Sequence, residues 1–352
     1  MPYRVAVVGA GIGAEHLVGY AQLPNRFEIA AICDLNMDRA KPLAEQYACE
    51  LTADLDAVLA DPAIDIVDVC LPPHLHLDVS CRALEAGKAV VCEKPLVASL
   101  AEADILATKI AETKGRVFPV FQYRYGIGMA QMQSVIEAGL AGRAFAASLE
   151  THWNRGADYY AIDWRGTWAG ERGGAILGHA IHIHDLLTSI LGPVESVYAN
   201  LATRVNDIET EDCAALSIRM VSGALVTSSV TLGGASDHSR LRLMFEGVTV
   251  ESDHAPYAPA QAPWHFFPRN PDQADELSNV LENVPVVLAG YAGLFDAIGD
   301  ALDGKPSREV TFEDGRRSLE FVTAVYASAR TNHPVTLPIA PSNPLYASWA
   351  PS

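Results

Sequence analysis

No pair of cysteines in this chain forms a C-x-x-C motif, and cations are scarce: 25 Lys plus Arg stand against 43 Asp plus Glu, a net charge of −18 over 352 residues. The six cysteines (Cys33, Cys49, Cys70, Cys81, Cys92 and Cys213) are scattered, and Cys33, Cys70 and Cys92 end apolar runs. That pattern reads as reduced thiols beside a sheet, not a disulfide framework or a zinc cage, and fits a reducing cytoplasm. The shortage of positive charge excludes nucleic acid or an anionic membrane as the main partner, because an acidic surface repels phosphate polymers. One local basic pocket remains compatible with it. No apolar run reaches bilayer length, no basic-then-apolar leader precedes the first strand, and there is no internal repeat. With 49% hydrophobic and 19% charged residues the composition is globular. The length exceeds one ordinary core and predicts two domains.

The first third alternates strand-like and helix-like patterns. Apolar runs at Val5–Val8, Glu28–Cys33, Ile64–Leu71, Ala89–Cys92 and Val117–Phe121 are separated by helical periodicity near Ile12–Gln22, Asp38–Tyr47, Leu55–Ala60, Leu75–Ala86 and Leu100–Thr113. Strands that are apolar throughout, spaced by amphipathic helices, imply a parallel sheet covered on both faces. After residue 122 longer β-like runs appear at 144–151, 194–203, 214–220, 224–231 and 240–246, with short turns such as Val221-Ser222-Gly223-Ala224, which predict antiparallel hairpins. One apolar helix over about 174–191 interrupts them. Residues 252–273 read as an irregular excursion, and two helices follow near 286–302 and 315–331. The expected division is therefore 1–122 and 123–352.

Three constellations carry chemistry. The first is Gly9-Ala10-Gly11-Ile12-Gly13, entered from an apolar strand. Glycine there lets backbone amides at a helix N-terminus approach a pyrophosphate. Asp34 ends the next strand about 20 residues later, where an acid meets the adenosine ribose hydroxyls. A carboxylate there repels a 2′-phosphate, the adjacent Leu35 and Asn36 offer it no cation, and the nearest arginine is Arg39, so NAD is expected over NADP. The second is Pro72-Pro73-His74-Leu75-His76 and, one helix later, Cys92-Glu93-Lys94-Pro95, both at strand ends where doubly wound sheets bind ligands. Lys94 can donate to a substrate oxygen, or be a loop lysine paired with Glu93. The third is Gly173-Gly174 followed by His179, His182, His184 and Asp185. His179, His182 and Asp185 share one helical face, with His184 pointing elsewhere. They can serve as proton carriers, as buried hydrogen-bonded groups or as metal ligands; no second cluster with ligand spacing accompanies them, so no metal is expected.

In order and spacing, Gly9-x-Gly11-x-Gly13-x-x-His16, Glu93-Lys94-Pro95, and Gly173-Gly174 with His182 and Asp185 resemble the Gfo/Idh/MocA family of glucose–fructose oxidoreductases, inositol dehydrogenases and rhizopine-catabolism proteins. The resemblance spans nearly the whole chain; Glu313-Asp314-Gly315-Arg316-Arg317-Ser318 and Leu337-Pro338 resemble the family's closing helix and tail. It implies an α/β architecture, with an N-terminal Rossmann domain and a C-terminal α/β domain bearing a large, open, mostly antiparallel sheet. It also implies a nicotinamide cofactor and a sugar, polyol or cyclitol substrate. By the same resemblance Lys94 polarises the reacting oxygen and His182 transfers the proton. Gly9, Gly11, Ile12, Gly13, Asp34, Pro72, His76, Glu93, Lys94, Trp164 and Arg165 match the cofactor site. Arg124, Asp163, His179 and His182 border the substrate. The family carries an Asp four residues before the catalytic histidine; here that position is Gly178, and His179 or Asp163 are the candidate replacements.

The expected activity is NAD-dependent oxidation of a secondary alcohol on a sugar-like ring, with Trp153, Trp164 and Trp168 as possible flat faces for that ring. The rival readings are an NAD-dependent glycoside-cleaving enzyme of the same fold, a catalytically lapsed NAD-binding sensor, and a metal-dependent hydrolase using the histidine helix. An open sheet face predicts a homo-oligomer, a dimer or tetramer.

Overall fold

Alternating apolar strands and amphipathic helices build the first part of the chain in the computed structural model, which describes residues 1–351. In order they are β1 (Tyr3–Val8), α1 (Gly13–Ala21), β2 (Phe27–Cys33), α2 (Met37–Tyr47), β3 (Glu50–Thr52), α3 (Leu55–Ala60), β4 (Ile66–Val69), α4 (His76–Glu85), β5 (Ala89–Cys92), α5 (Leu100–Thr113) and β6 (Val117–Pro119). The strands pair in parallel in the order β3-β2-β1-β4-β5-β6. The reversal of order between β1 and β4 opens a crevice at their carboxyl ends, the ligand position of doubly wound sheets. Residues Val5 to Val8 and all of β4 are buried, as a sheet covered on both faces requires. The short edge strand β3 carries too little pattern to be read from sequence.

Local chemistry sets the helix ends. Asn36 caps α2 at the Arg39 amide, and Asp54 caps α3 at Asp56 and Ala57. Ser99 and Glu102 form a reciprocal box at α5: the Ser99 hydroxyl accepts from the Glu102 amide, and Glu102 accepts from the Ala98 amide. Each such cap contributes about 1 kcal/mol. Gly87, at φ +76°, ends α4 in the left-handed conformation that glycine favours.

The remaining elements are α6 (Ile127–Glu137), β7 (Ala144–Asn154), α7 (Ala157–Tyr160), α8 (Ile181–Leu191), β8 (Val194–Ala202), β9 (Cys213–Met220), β10 (Leu225–Thr231), β11 (Gly233–Phe245), β12 (Val248–Glu251), β13 (His265–Pro268), α9 (Ala274–Glu282), α10 (Gly290–Leu302), α11 (Phe312–Thr331) and β14 (Val335–Thr336). Eight strands form a second sheet in the order β13-β12-β11-β7-β10-β9-β8-β14. It is antiparallel except for the central β7–β10 pair. Strict alternation of buried and exposed residues along β9 and β10 shows one covered face and one open face. The open face presents Ala215, Ser217, Leu225, Thr227 and Ser229.

By their internal contacts the residues form two units: Met1–Val120 with Tyr291–Leu319, and Phe121–Gly290 with the chain from Glu320 onward. The single break expected near residue 122 does not contain the return of 291–319 to the first unit. Aromatic packing drives that return. Tyr20 on α1 and Phe295 on α10 stack with ring centroids 3.8 Å apart. Gly19 permits the approach, since a Cβ there would stand 2.8 Å from both Phe295 and Tyr291. Arg26 adds ion pairs to Asp296 at 2.5 Å and Asp300 at 2.9 Å. The stretch 252–273, read as irregular, contains β13, which pairs with β12 at the sheet edge. Its prolines hid a four-residue strand. Among the described residues no helix is long and apolar enough to cross a membrane.

Candidate active site

In the first unit the glycine turn lies where β1 meets α1. Gly9 has φ +103°, and a Cβ there would lie 2.3 Å from the Cys70 carbonyl oxygen, so only glycine fits. A Cβ at Gly13 would meet Val7 at 2.8 Å, which keeps α1 tight against β1. Gly11 differs: the nearest atom to its Cβ position is Arg39 Nη1 at 4.0 Å, leaving the backbone open on that side. No side chain caps the start of α1, and Ile12 is exposed. This is the arrangement that receives a pyrophosphate.

Asp34 ends β2 and is buried. Its Oδ2 accepts from the Ala10 amide at 2.6 Å and from Arg39 Nη2 at 2.7 Å, and its Oδ1 accepts from the Asn36 amide at 2.7 Å. Burial pushes this carboxyl up, but the two amides and the guanidinium outweigh that and lower it, so it stays ionised. A charged acceptor beside an open glycine turn fits the adenosine end of a dinucleotide. Arg39, the nearest arginine in the sequence, is tied to that carboxylate by the fold.

Pro72 opens a short turn after β4, and His76 follows it at the start of α4. His76 is fully buried, with Nδ1 2.8 Å from the Pro95 carbonyl and Nε2 2.7 Å from the Leu71 carbonyl. Burial lowers its pKa, so it is a neutral tie between the two strand-end loops. Glu93 is buried directly after β5. Its Oε2 accepts from the Lys94 amide at 2.9 Å, and Lys94 is partly exposed.

In the second unit the histidines lie on a buried helical run. Residues Ile176–Ala180 form a π turn that leads into α8. Such turns are rare and concentrate at functional sites. The glycines before it are demanded by packing. A Cβ at Gly174 would lie 2.0 Å from the Glu211 carbonyl oxygen, and one at Gly173 2.6 Å from the Tyr326 hydroxyl. The buried Glu211 carboxylate accepts from the Ile176 amide at 3.0 Å and from Tyr326 Oη at 3.0 and 3.1 Å. Burial raises its pKa from 4.5 to about 7. No sequence signal marked Glu211.

His182 is buried and stacks on Tyr123, with centroids 4.7 Å apart and an interplanar angle of 22°. His179 meets the edge of Trp153 at 5.1 Å and lies 5.7 Å from Tyr159. Trp153 is itself buried, with Nε1 donating to Ser239. His184 points away from both: its Nε2 lies 2.9 Å from Ser228 Oγ, and burial lowers its pKa to about 3. That direction is the one its spacing predicts. Asp185 receives a bidentate pair from Arg124, Nε to Oδ2 at 2.7 Å and Nη2 to Oδ1 at 2.6 Å. Arg124 therefore has its fork on a carboxylate of this same unit. Arg165 stacks over Tyr159 at 3.9 Å and Trp164 at 4.7 Å, while Asp163 is exposed.

Gly178 is the one residue from Gly173 to Leu187 that is not buried, an opening in the helix one turn before His182. The group nearest its Cβ position is Glu171 Oε1, at 3.7 Å. Glu171 is buried, accepts from the Gly166 amide at 2.6 Å through Oε2, and has Arg165 Nη1 3.7 Å from Oε1. A carboxylate thus stands over Gly178 from outside the helix. Seven residues upstream, across an irregular loop, it gave no periodic signal.

Residues 3–121 match the oxidoreductase family with an NAD-binding Rossmann fold, and residues 129–251 match the GFO/IDH/MocA C-terminal domain. Among curated proteins the chain is similar to D-glucoside 3-dehydrogenase of Escherichia coli, 25% identical over 96% of this chain and 98% of that protein. It is 27% identical to levoglucosan dehydrogenase of Pseudarthrobacter phenanthrenivorans over 62% of this chain and 59% of that one. Several of the curated relatives it matches are likewise spanned over about three fifths of their length, 58% for two oxidoreductases of Schizosaccharomyces pombe. Among solved structures, the WlbA dehydrogenase of Bordetella pertussis, in complex with NADH and UDP-GlcNAcA, superposes with a TM-score of 0.84 at 28% identity, covering 97% of this chain and 100% of that one.

Proposed function

This chain belongs to the GFO/IDH/MocA oxidoreductase family, and from that premise we propose that it is an NAD-dependent dehydrogenase acting on a secondary alcohol of a sugar, polyol or cyclitol. The observation that carries the reading is the glycine turn with an ionised Asp34 in the same unit as the strand-end Lys94. NAD, when bound, supplies the hydride acceptor. Gly9, Gly11, Ile12, Gly13 and Asp34 hold its adenosine and pyrophosphate portion, and Pro72, Glu93, Trp164 and Arg165 border the rest. Lys94 donates to the alcohol oxygen and stabilises the negative charge that grows there as the C–H bond breaks. His182 takes the hydroxyl proton; its ring is held by Tyr123, so it presents one orientation. Glu171, over Gly178, supplies the acid that the helix itself omits one turn before His182. His179 and Arg124 shape the substrate side.

The open sheet face is proposed to bury itself against a second copy of the chain, which makes the enzyme a homo-oligomer.

The deciding test is a panel of polyols, aldoses and cyclitols with NAD and with NADP, read by absorbance of the reduced cofactor. NADH should accumulate with a free sugar or cyclitol. Cleavage of a glycoside without net NADH would instead make this a redox-assisted hydrolytic enzyme. NADH binding with no turnover on any member would make it a sensor. Lys94→Ala should lower kcat about 10³-fold with the NADH Kd within about threefold. Near-normal turnover removes Lys94 from the mechanism.

A further inference from the structure

His16 lies in the first turn of α1, inside the glycine-turn motif, and none of the roles above uses it. It is completely buried. Its Nδ1 stands 2.8 Å from Asp68 Oδ2 on β4, and its Nε2 stands 3.2 Å from Glu93 Oε1 after β5. Cys70 Sγ lies 3.3 Å from Nδ1. The Tyr291 ring, at the start of α10, is 4.6 Å from the imidazole, and Phe295 is 5.5 Å away. Every one of these groups is in the first unit.

The geometry assigns a charge. A neutral imidazole has one N–H, yet both ring nitrogens here face a carboxylate oxygen. Two buried carboxylates flanking one ring are satisfied together when the ring carries both protons. Burial alone would push His16 down; Asp68 beside it, with Cys70, outweighs that and holds it well above its ordinary value. The other titratable groups around it are Tyr20 and Glu15 on α1, Tyr291 on α10 and Lys94 beyond Glu93; Tyr20 and Tyr291 are both raised by burial and stay neutral. The Nδ1–Oδ2 and Nδ1–Sγ distances are those of direct hydrogen bonding within the cluster.

Glu93 has two oxygens and two tasks. Oε1 faces His16, and Oε2 accepts the backbone N–H of Lys94. The imidazole therefore holds the carboxylate that holds the peptide at Lys94. We propose that His16 is a positioning residue for catalysis, clamping Glu93 between the ends of β4 and β5 so that the Lys94 ammonium is presented in one place. The consequence for turnover rests on the dehydrogenase reading; the clamp does not. A misplacement of about 1 Å in a reacting group costs on the order of 10²-fold in rate, so a loosened clamp should act on kcat before it acts on binding.

The test uses the full chain carrying His16→Leu and, as a milder variant should that one fail to fold, His16→Gln, which keeps one donor and no charge. Amide hydrogen exchange is followed by mass spectrometry on peptides covering Cys92–Val97, and NADH affinity by fluorescence. Exchange at the Glu93 and Lys94 amides should accelerate at least tenfold in both variants while peptides from β8–β10 are unchanged, and the NADH Kd should move by less than about threefold. On a substrate the wild type oxidises, kcat should fall 30- to 100-fold with KM nearly constant. Unchanged exchange at those two amides overturns the clamp. Faster exchange with wild-type kcat overturns its role in positioning. A wild type that binds NADH and oxidises nothing on the panel overturns the dehydrogenase reading instead, and the exchange data alone then decide the clamp.

Discussion

At the scale of single residues the site is a set of charges whose partners decide their use. Asp34 and Arg39 are the clearest pair: the carboxylate is buried, the guanidinium half-exposed, and they meet at 2.7 Å. Asp34→Ser frees that cation beside the place proposed for the adenosine ribose. The ratio of kcat/KM for NADP over NAD should then rise about 10²-fold, measured with the same alcohol; an unchanged ratio means Arg39 does not reach the 2′-position. The acid over Gly178 makes a second prediction. Glu171→Gln should lower kcat 10- to 100-fold. Adding Gly178→Asp to that variant should restore part of the loss, because Gly178 lacks positive φ and its Cβ position lies beside the side chain at 171, so the new carboxylate returns the lost charge to the same place. Failure of the pair to recover any rate would make Glu171 a packing residue. Lys94, His182 and Asp34 stood out in the linear chain as candidates because of the motifs they sit in. Glu171 and Glu211 did not: Glu171 lies across an irregular loop with no periodic spacing to Gly178, and Glu211 meets Ile176 and Tyr326, which are distant in sequence.

At the scale of elements the histidine helix shows why legibility stops. Its apolar periodicity, its double glycine and the outward turn of His184 were all readable. The π turn over Ile176–Ala180 was not, because a five-residue widening leaves no distinctive residue pattern. Nor was its anchor. Glu211 sits beneath the helix start with a pKa raised from 4.5 to about 7 by burial. The native state holds a proton there that the unfolded chain releases. This contribution to stability is complete below about pH 4.5 and is lost as the pH rises through about 7. Thermal unfolding midpoints should accordingly decline from pH 5 to pH 8, and Glu211→Gln should flatten that decline. A wild-type curve no steeper than the variant's sinks the assignment. The edge elements β3, β13 and α9 were missed for a related reason: three- and four-residue strands and a short polar helix carry too few periods to count.

At the scale of the whole molecule, α10 is the element whose membership surprises, since sequence order places it after the second sheet and packing returns it to the first unit. Phe295→Ala removes the ring stacked on Tyr20 and should destabilise that unit by about 3–5 kcal/mol, read by denaturant unfolding. A loss below about 1 kcal/mol would mean the stack is incidental. Assembly belongs to this scale too. If the chain assembles through the open sheet face as proposed, Leu225→Arg should shift the sedimentation coefficient toward the monomer; an unaltered value, or a wild type that already sediments as a monomer, overturns that proposal. The parallel nucleotide-binding sheet, its glycine turn and the order of the chemical motifs follow from short-range pattern, because strand periodicity, turn glycines and strand-end residues act over a few positions at a time. Which carboxylate faces His16 and where α10 packs follow from folding alone, because each depends on groups tens to hundreds of residues apart whose meeting no local preference encodes; Glu171 reaches Gly178 from only seven residues upstream, but by an irregular loop that leaves no periodic signal.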